Sequence, residues 1–265
     1  MYVLNFDNNY YEWAKCLIRS HDLNVNRVCD GDKKIFASTV NLSLEQIREL
    51  KSIHENLIIS NTFVSKKDIP IVSHRIAGNG FDIDDLYTEE GHFMPEFMAN
   101  RRCFVTKEVF DKFPEEKHFI FVDADQFINK NFSFEEQVKD SDAGLIYSRE
   151  VSVFSTYNSN LSFFPLYINT GVMLLKNNSN CKNLINLWIE NSTKHKNING
   201  FLKDHWFWDQ TTLSVSVEKM IENNEITITN IDEKKFISQG KDKNAFIWSE
   251  HGIAYSDRNV NIWEN

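Results

Sequence analysis

The chain has 265 residues, enough for one large α/β domain or two small ones, and 42% hydrophobic residues with 21 Phe supply a sizeable core. Lys and Arg number 29 against 38 Asp and Glu, a formal charge of -9, which argues against a protein that holds a phosphate backbone, so nucleic acid is not an expected partner. Cys16, Cys29, Cys103 and Cys181 show no Cys-x-x-Cys and no zinc-type spacing, and read as reduced core thiols of a cytoplasmic protein.

The start has no basic region followed by an apolar stretch, so no secretory signal is expected, and no run approaches the roughly 18 apolar residues of a membrane helix. Residues 2–6 read as a strand that turns at once, through Asp7-Asn-Asn-Tyr10, into a helix with Tyr10, Ala14, Leu17, Ile18 and His21 on one face. Such a unit turns its loop toward a ligand crevice. There Asp7 and Asn9 can hydrogen-bond a base edge and Tyr10 can stack on it; equally, Asn8 or Asn9 can simply cap the helix. Residues 34–40 give a second strand, Ser43 and Gln46 fit a capping box for a helix bearing Leu44, Ile47 and Leu50, and residues 57–60 give a third strand. The order β-α-β-α-β is that of a parallel sheet.

From 61 to 116 the pattern loosens, and Gly78-Asn-Gly80 with the acids at 82–85 reads as an irregular loop. Pro95 opens a helix to about 113 that turns Phe97, Phe104, Val105 and Val109 toward the core and carries Arg101 and Arg102 in its middle. An arginine there can reach a leaving phosphate with its planar fork, although a solvated charge is the commoner role.

The most informative stretch follows. Four bulky residues, 119–122, read as a strand buried on both faces and central in the sheet, ending in Asp123-Ala-Asp125. In an extended chain residues i and i+2 point the same way at roughly 6 to 7 Å, so both carboxylates are expected to project together from the strand's carboxyl end. Two hard anionic donors at that spacing suit Mg²⁺ or Mn²⁺ shared with the oxygens of a diphosphate. Taken alone, such a triplet also arises by chance or as a helix cap.

Ser133 and Glu136 fit a second capping box, residues 143–147 form a further strand, and residues 148–166, rich in Ser, Asn and aromatics, read as a loop that closes over substrate. The strand at 166–175 is interrupted by Asn169-Thr-Gly171, where glycine marks a bulge or a close approach and the amide and hydroxyl can hold sugar hydroxyls. After a helix with Leu184, Leu187 and Trp188 comes Asp209-Gln210, an acid and an amide at the start of another helix, placed to face the crevice. His251 follows a short strand and is a candidate third metal ligand, though a lone histidine is more often structural.

In order, Phe6-Asp-Asn-Asn-Tyr10, Phe-Val-Asp-Ala-Asp125, Tyr167-Ile-Asn-Thr-Gly-Val-Met173 and Trp208-Asp-Gln210 resemble the GT-A glycosyltransferases, in particular family eight with its bacterial lipopolysaccharide galactosyl- and glucosyltransferases. The resemblance implies an α/β fold with a Rossmann-like, mixed but mostly parallel sheet flanked by helices. It implies a single domain over 1–265, with a nucleotide-binding half at about 1–130 and an acceptor half at about 131–265. The activity it implies is retaining hexosyl transfer from a UDP-hexose or UDP-N-acetylhexosamine to a glycan or glycolipid, in the cytoplasm or at the inner face of the membrane. By the same likeness Asp123, Asp125 and His251 bind Mn²⁺ or Mg²⁺, and Asp7, Asn9 and Tyr10 contact base and ribose. Arg101 or Arg102, Ala124, Asn169 and Gly171 then surround the sugar nucleotide, with Asp209 or Gln210 stabilising or orienting the sugar cation. Two features depart from the family: His251 precedes Gly252-Ile-Ala-Tyr-Ser rather than Gly-x-x-Lys, and the chain ends Val260-Asn-Ile-Trp-Glu-Asn265 without a basic aromatic tail for a membrane.

Rival readings fit less well. Phosphatases resembling haloacid dehalogenases want Thr or Val where Phe127 stands, and a sugar-nucleotide pyrophosphorylase wants a glycine-rich first loop. A non-catalytic carbohydrate-binding protein would use the Trp and Tyr residues without needing the carboxylate pair.

Overall fold

A computed structural model of the chain describes residues 1–27, 33–69, 71–76, 87–92, 94–155, 160–198, 201–202, 208–238 and 242–249. The first half runs β1 (Tyr2–Asp7), α1 (Tyr11–His21), β2 (Ile35–Val40), α2 (Leu44–Ile53), β3 (Leu57–Thr62), a hairpin of β4 (Ile71–Ile76) and β5 (Tyr87–His92), α3 (Met94–Asn100), α4 (Arg102–Lys112) and β6 (His118–Val122). The second runs β7 (Gln126–Ile128), α5 (Phe134–Val138), β8 (Ala143–Ser155), β9 (Asn160–Lys176), α6 (Ser179–Lys194), β10 (Asn197–Ile198), β11 (Phe201–Leu202), α7 (Trp208–Glu222), β12 (Ile228–Asn230), α8 (Glu233–Phe236) and β13 (Ile247–Ser249).

Seven strands form one sheet in the order β12-β8-β9-β6-β1-β2-β3, with β6 at its centre. β1, β2, β3 and β6 are parallel, β9 is antiparallel to both β6 and β8, and β12 is parallel to β8. Only β9 therefore runs against the rest, which agrees with a mixed, mostly parallel sheet. Alternation along β1 and β6 sorts their side chains between two cores. Tyr2, Leu4, Phe6, Ile120 and Val122 pack in the cluster that includes Leu17 and Ile18 of α1, while Val3, Phe119 and Phe121 pack in the one that includes Val109 of α4 and Trp188 of α6. The four bulky residues 119–122 are all buried, as a strand covered on both faces requires.

Ser43 and Gln46 form the expected capping box at the start of α2. Ser133 accepts from the Glu136 N–H at 3.3 Å, but β7 intervenes between the acidic triplet and the five-residue α5. The helix expected from Pro95 to about 113 is two helices meeting at Arg101, and Phe104, expected in the core, is 48% exposed. Residues 148–155 and 160–166 are strand where a loop was expected: β8 and β9 continue past β12 and β6 as a two-stranded ribbon. Pro165, which has no N–H, and Glu150, at φ 53°, lie opposite each other within that ribbon and disguise its period. The glycine-rich stretch at 78–80, the acids at 82–85 and Cys29 lie outside the described residues. Cys16, Cys103 and Cys181 are buried thiols outside any disulfide among the described residues, and burial pushes Cys103 and Cys181 up to about 12. Among the described residues no helix is long and apolar enough to cross a membrane.

A buried histidine pair ties the end of α1 to the end of α2. His54 Nδ1 accepts the Asn56 N–H at 3.2 Å, so its proton sits on Nε2, which faces His21 Nδ1 at 2.9 Å. Burial depresses the His54 pKa below its ordinary 6.5, only partly offset by the charges of Asp22 and Glu55. The unfolded chain therefore takes up this proton more readily, and the pair's contribution to stability is complete above pH 6.5 and declines as the pH falls below it. Urea denaturation at pH 7.5 and 5.5 should show a larger loss for the wild type than for His54→Gln; equal losses would exclude the pair as a source of acid sensitivity.

Candidate active site

At the carboxyl ends of β1 and β6 the chain opens into a cleft of about 930 Å³, in the size range of ligand sites. It is bordered by Asp7 and Tyr10 from the first strand-to-helix turn, Arg102 from α4, Asp123, Ala124 and Asp125 after β6, Tyr167 and Asn169 from β9, and Asp209 and Gln210 from α7.

Asp7 caps the turn into α1. Its carboxylate accepts the backbone N–H groups of Asn9 at 3.1 Å and Tyr10 at 3.3 Å and the Asn9 side-chain amide at 2.8 Å, yet burial still raises its pKa. Asp7 and Tyr10 thus border the cleft, whereas Asn9 is exposed and bonded to Asp7, off the cleft wall.

The acidic triplet does not continue β6 in extended form. The Gln126 N–H donates to the Asp123 carbonyl at 3.3 Å, so Asp123 to Gln126 is a turn, and the expected spacing of an extended i, i+2 pair does not apply. What brings both carboxylates to the cleft is β9. Its register against β8 jumps between Leu145, opposite Met173, and Ile146, opposite Asn169, leaving Thr170 to Val172 as the irregularity that Gly171 led us to expect. There the Gly171 carbonyl accepts the Asp123 N–H at 3.0 Å and the Gln126 side-chain amide at 3.3 Å, which fixes the turn. Gly171 is thus a support beneath the cleft rather than part of its wall. Its own N–H donates to Asn169 Oδ1 at 2.8 Å, which orients that amide.

Arg102 joins these parts. Nη2 donates to Asp123 at 2.5 Å, Nη1 donates to Asp209 at 2.6 Å and to the Thr170 hydroxyl, and Thr170 in turn donates to Asp209 at 2.9 Å. Burial by itself would lower the Arg102 pKa, but Asp123, Asp209 and Asp125 together raise it. Asp209, whose side chain is 2% exposed, is held above its ordinary range by burial despite the guanidinium. Its backbone carbonyl also accepts the indole N–H of Trp188 at 3.0 Å. Asp209 and Gln210 both border the cleft; Asp209 is bonded to Arg102 and Thr170, whereas Gln210 makes no side-chain hydrogen bond among the described residues. Of the two arginines only Arg102 borders the cleft; Arg101 precedes α4 and lies over the Phe97 ring at 5.6 Å.

Among the described residues no three His, Cys, Asp or Glu side chains form a metal cage, and His251 lies outside those residues.

No protein-family model matches the chain, and no curated protein sequence does. Solved structures do. An active-site mutant of LgtC is similar over 100% of this chain and 94% of its own, at 11% identity and a TM-score of 0.55. The galactosyltransferase LgtC in complex with donor and acceptor sugar analogues is similar over 100% and 94%, at 10% identity and a TM-score of 0.52. The chain has the GT-A glycosyltransferase fold. A further GT-A likeness, the bifunctional glycosyltransferase WbbM, is similar over 95% of this chain and 45% of its own, at 13% identity and a TM-score of 0.53.

One wall of this GT-A cleft was not legible in the sequence. Glu233, Lys234, Ile237, Ser238 and Asp242 border it from α8 and the segment that follows. α8 has only four residues, too few to show a helical period. It is held in place by Phe236, which meets Phe132 edge-on at 4.9 Å, and by Ser238, whose carbonyl accepts the N–H of Ser249 on β13. β13 pairs with β7 immediately after Asp125, so this wall stands on the acidic side of the cleft.

Proposed function

We propose that the cleft binds a nucleotide-diphosphate sugar, a UDP-hexose or UDP-N-acetylhexosamine, together with Mn²⁺ or Mg²⁺, and transfers the hexosyl group to a hydroxyl of a glycan or glycolipid with retention. The observation that carries this reading is the charge of the cleft. Asp7, Asp123, Asp125, Asp209, Glu233 and Asp242 border it against Arg102 and Lys234 alone among the described residues, and a diphosphate entering such a field needs a cation to accompany it. The donor set fits one: two carboxylates of hard oxygen, Asp123 and Asp125, leave the remaining positions to diphosphate oxygens and water. When bound, the cation would neutralise the charge that gathers on the departing diphosphate.

The chain's own residues then have separable tasks. Asp7 and Tyr10 take the nucleoside end, Tyr10 by stacking. Arg102 holds Asp123 in position and places a positive charge beside the leaving group. Asp209 keeps that guanidinium oriented, and Asn169 and Gln210 face the sugar, with Gln210 orienting or stabilising the cationic ring as the bond breaks. The surface-polysaccharide or lipopolysaccharide setting rests on the family resemblance of the sequence.

A screen of nucleotide sugars for hydrolysis should find one donor cleaved to free sugar and nucleoside diphosphate, with activity lost in EDTA and restored by Mn²⁺. Release of inorganic phosphate from sugar phosphates, with no nucleotide sugar cleaved, would replace the transferase reading with a phosphatase.

A further inference from the structure

Besides Asn169, β9 brings Tyr167 to the cleft. Tyr167 and Asn169 are two apart on this strand and share a face, and both border the cleft. The Tyr167 ring is clamped from behind. It meets Phe164 edge-on at 5.3 Å and packs in a satellite cluster with Phe164, Trp208 and Ile198, where Trp208 is 1% exposed and anchored by its indole N–H to the Ser192 carbonyl at 3.2 Å. The next residue fixes the backbone: the Ile168 N–H donates to Ser214 Oγ on α7 at 2.9 Å, tying this stretch of β9 to the helix that bears Gln210. The hydroxyl itself has no hydrogen-bond partner among the described residues. A rigid phenol at the border of a cleft, its hydroxyl not engaged by the described residues, is suited to meet a polar group of a ligand. Burial and the nearby charge of Asp209 raise the phenol pKa, so it stays a donor at neutral pH.

We propose that Tyr167 is a specificity-determining residue, its hydroxyl donating a hydrogen bond to a ring hydroxyl of the sugar being transferred. This rests on the nucleotide-sugar reading above. The assignment to sugar follows from its neighbours: Tyr167 shares a face of β9 with Asn169, and this stretch of the strand is tied through Ser214 to α7, which bears Gln210, the two residues that face the sugar in that reading.

The test compares the wild type with Tyr167→Phe, which keeps the ring and its packing. UDP binding with Mn²⁺ is measured by calorimetry, and hydrolysis is measured on UDP-glucose, UDP-galactose and their N-acetylated counterparts. The expected result is UDP affinity within about twofold of wild type, kcat/KM on the preferred donor down about tenfold or more, and a flattened preference between the epimers, because a site built around a hydroxyl discriminates strongly against its loss or misplacement. Unchanged kcat/KM and epimer preference would overturn the assignment and leave the transferase reading intact. Loss of UDP binding in the variant would show Tyr167 to be structural and equally overturn it. If the wild type neither binds UDP nor cleaves any of these donors, the parent reading fails and the assignment falls with it.

Discussion

Asp125→Asn should lower sugar transfer and donor hydrolysis by at least about 10²- to 10³-fold, the range seen when one group that stabilises developing charge is removed, while leaving the melting temperature nearly unchanged. Asp125 is 6% exposed and stands in the turn after β6, so the isosteric amide fits the same space. What changes is charge. An amide oxygen is a weaker partner for a hard divalent cation than a carboxylate, and the cleft loses one of the two anionic donors that make cation binding favourable. The loss should also be selective: Mn²⁺ titrations should shift to higher metal concentration, whereas uridine, which has no phosphate, should bind both proteins alike. Full activity in this variant would mean that the acidic turn serves the fold and not the reaction.

Arg102→Leu should unfold with about 3–5 kcal/mol less stability, the cost of removing one partner of a buried charge pair. The guanidinium is 16% exposed and touches Asp123 and Asp209, of which Asp209 at 2% has no recourse to solvent. Deleting it leaves two carboxylates facing one another without compensation. Lysine is a poor replacement, because one ammonium cannot bridge both acids as the planar fork does. A second change gives the sharper measurement: in the Arg102→Leu background, Asp209→Asn should recover part of the stability by removing the uncompensated charge, whereas in the wild-type background it should destabilise. Denaturant titrations of the four proteins give the coupling directly. Additive effects would show that the two side chains do not depend on one another.

How far the site could be read from the sequence followed local chemistry. Four bulky residues before Asp123 leave no exposed face, so β6 was legible as a central strand without knowledge of its neighbours. Asn169-Thr-Gly171 was legible as an interruption because glycine has no side chain to pack in a sheet, but its purpose, holding the Asp123 turn through the Gly171 carbonyl, depends on a contact between residues 48 apart. Sequence could not choose between Arg101 and Arg102. Adjacent helical residues point about 100° apart, and a break at Arg101 resets the phase on which any choice would rest. The same limit explains Asp7: an acid before two asparagines reads as either a base contact or a cap, and the structure shows it capping the turn while also bordering the cleft. The ribbon of β8 and β9 has the composition of a loop, and Glu150 and Pro165 break the two-residue period that would mark it as strand. The sequence around Tyr167 shows no role for it, because its clamp is formed by Trp208 and Ile198, more than thirty residues away.

The most direct measurement is anomalous diffraction from crystals grown with MnCl₂ and UDP. A manganese peak is expected, bordered by the carboxylates of Asp123 and Asp125, with the diphosphate of UDP on its open side. A UDP molecule bound elsewhere, or both aspartates turned from a cleft that holds no manganese, would contradict it.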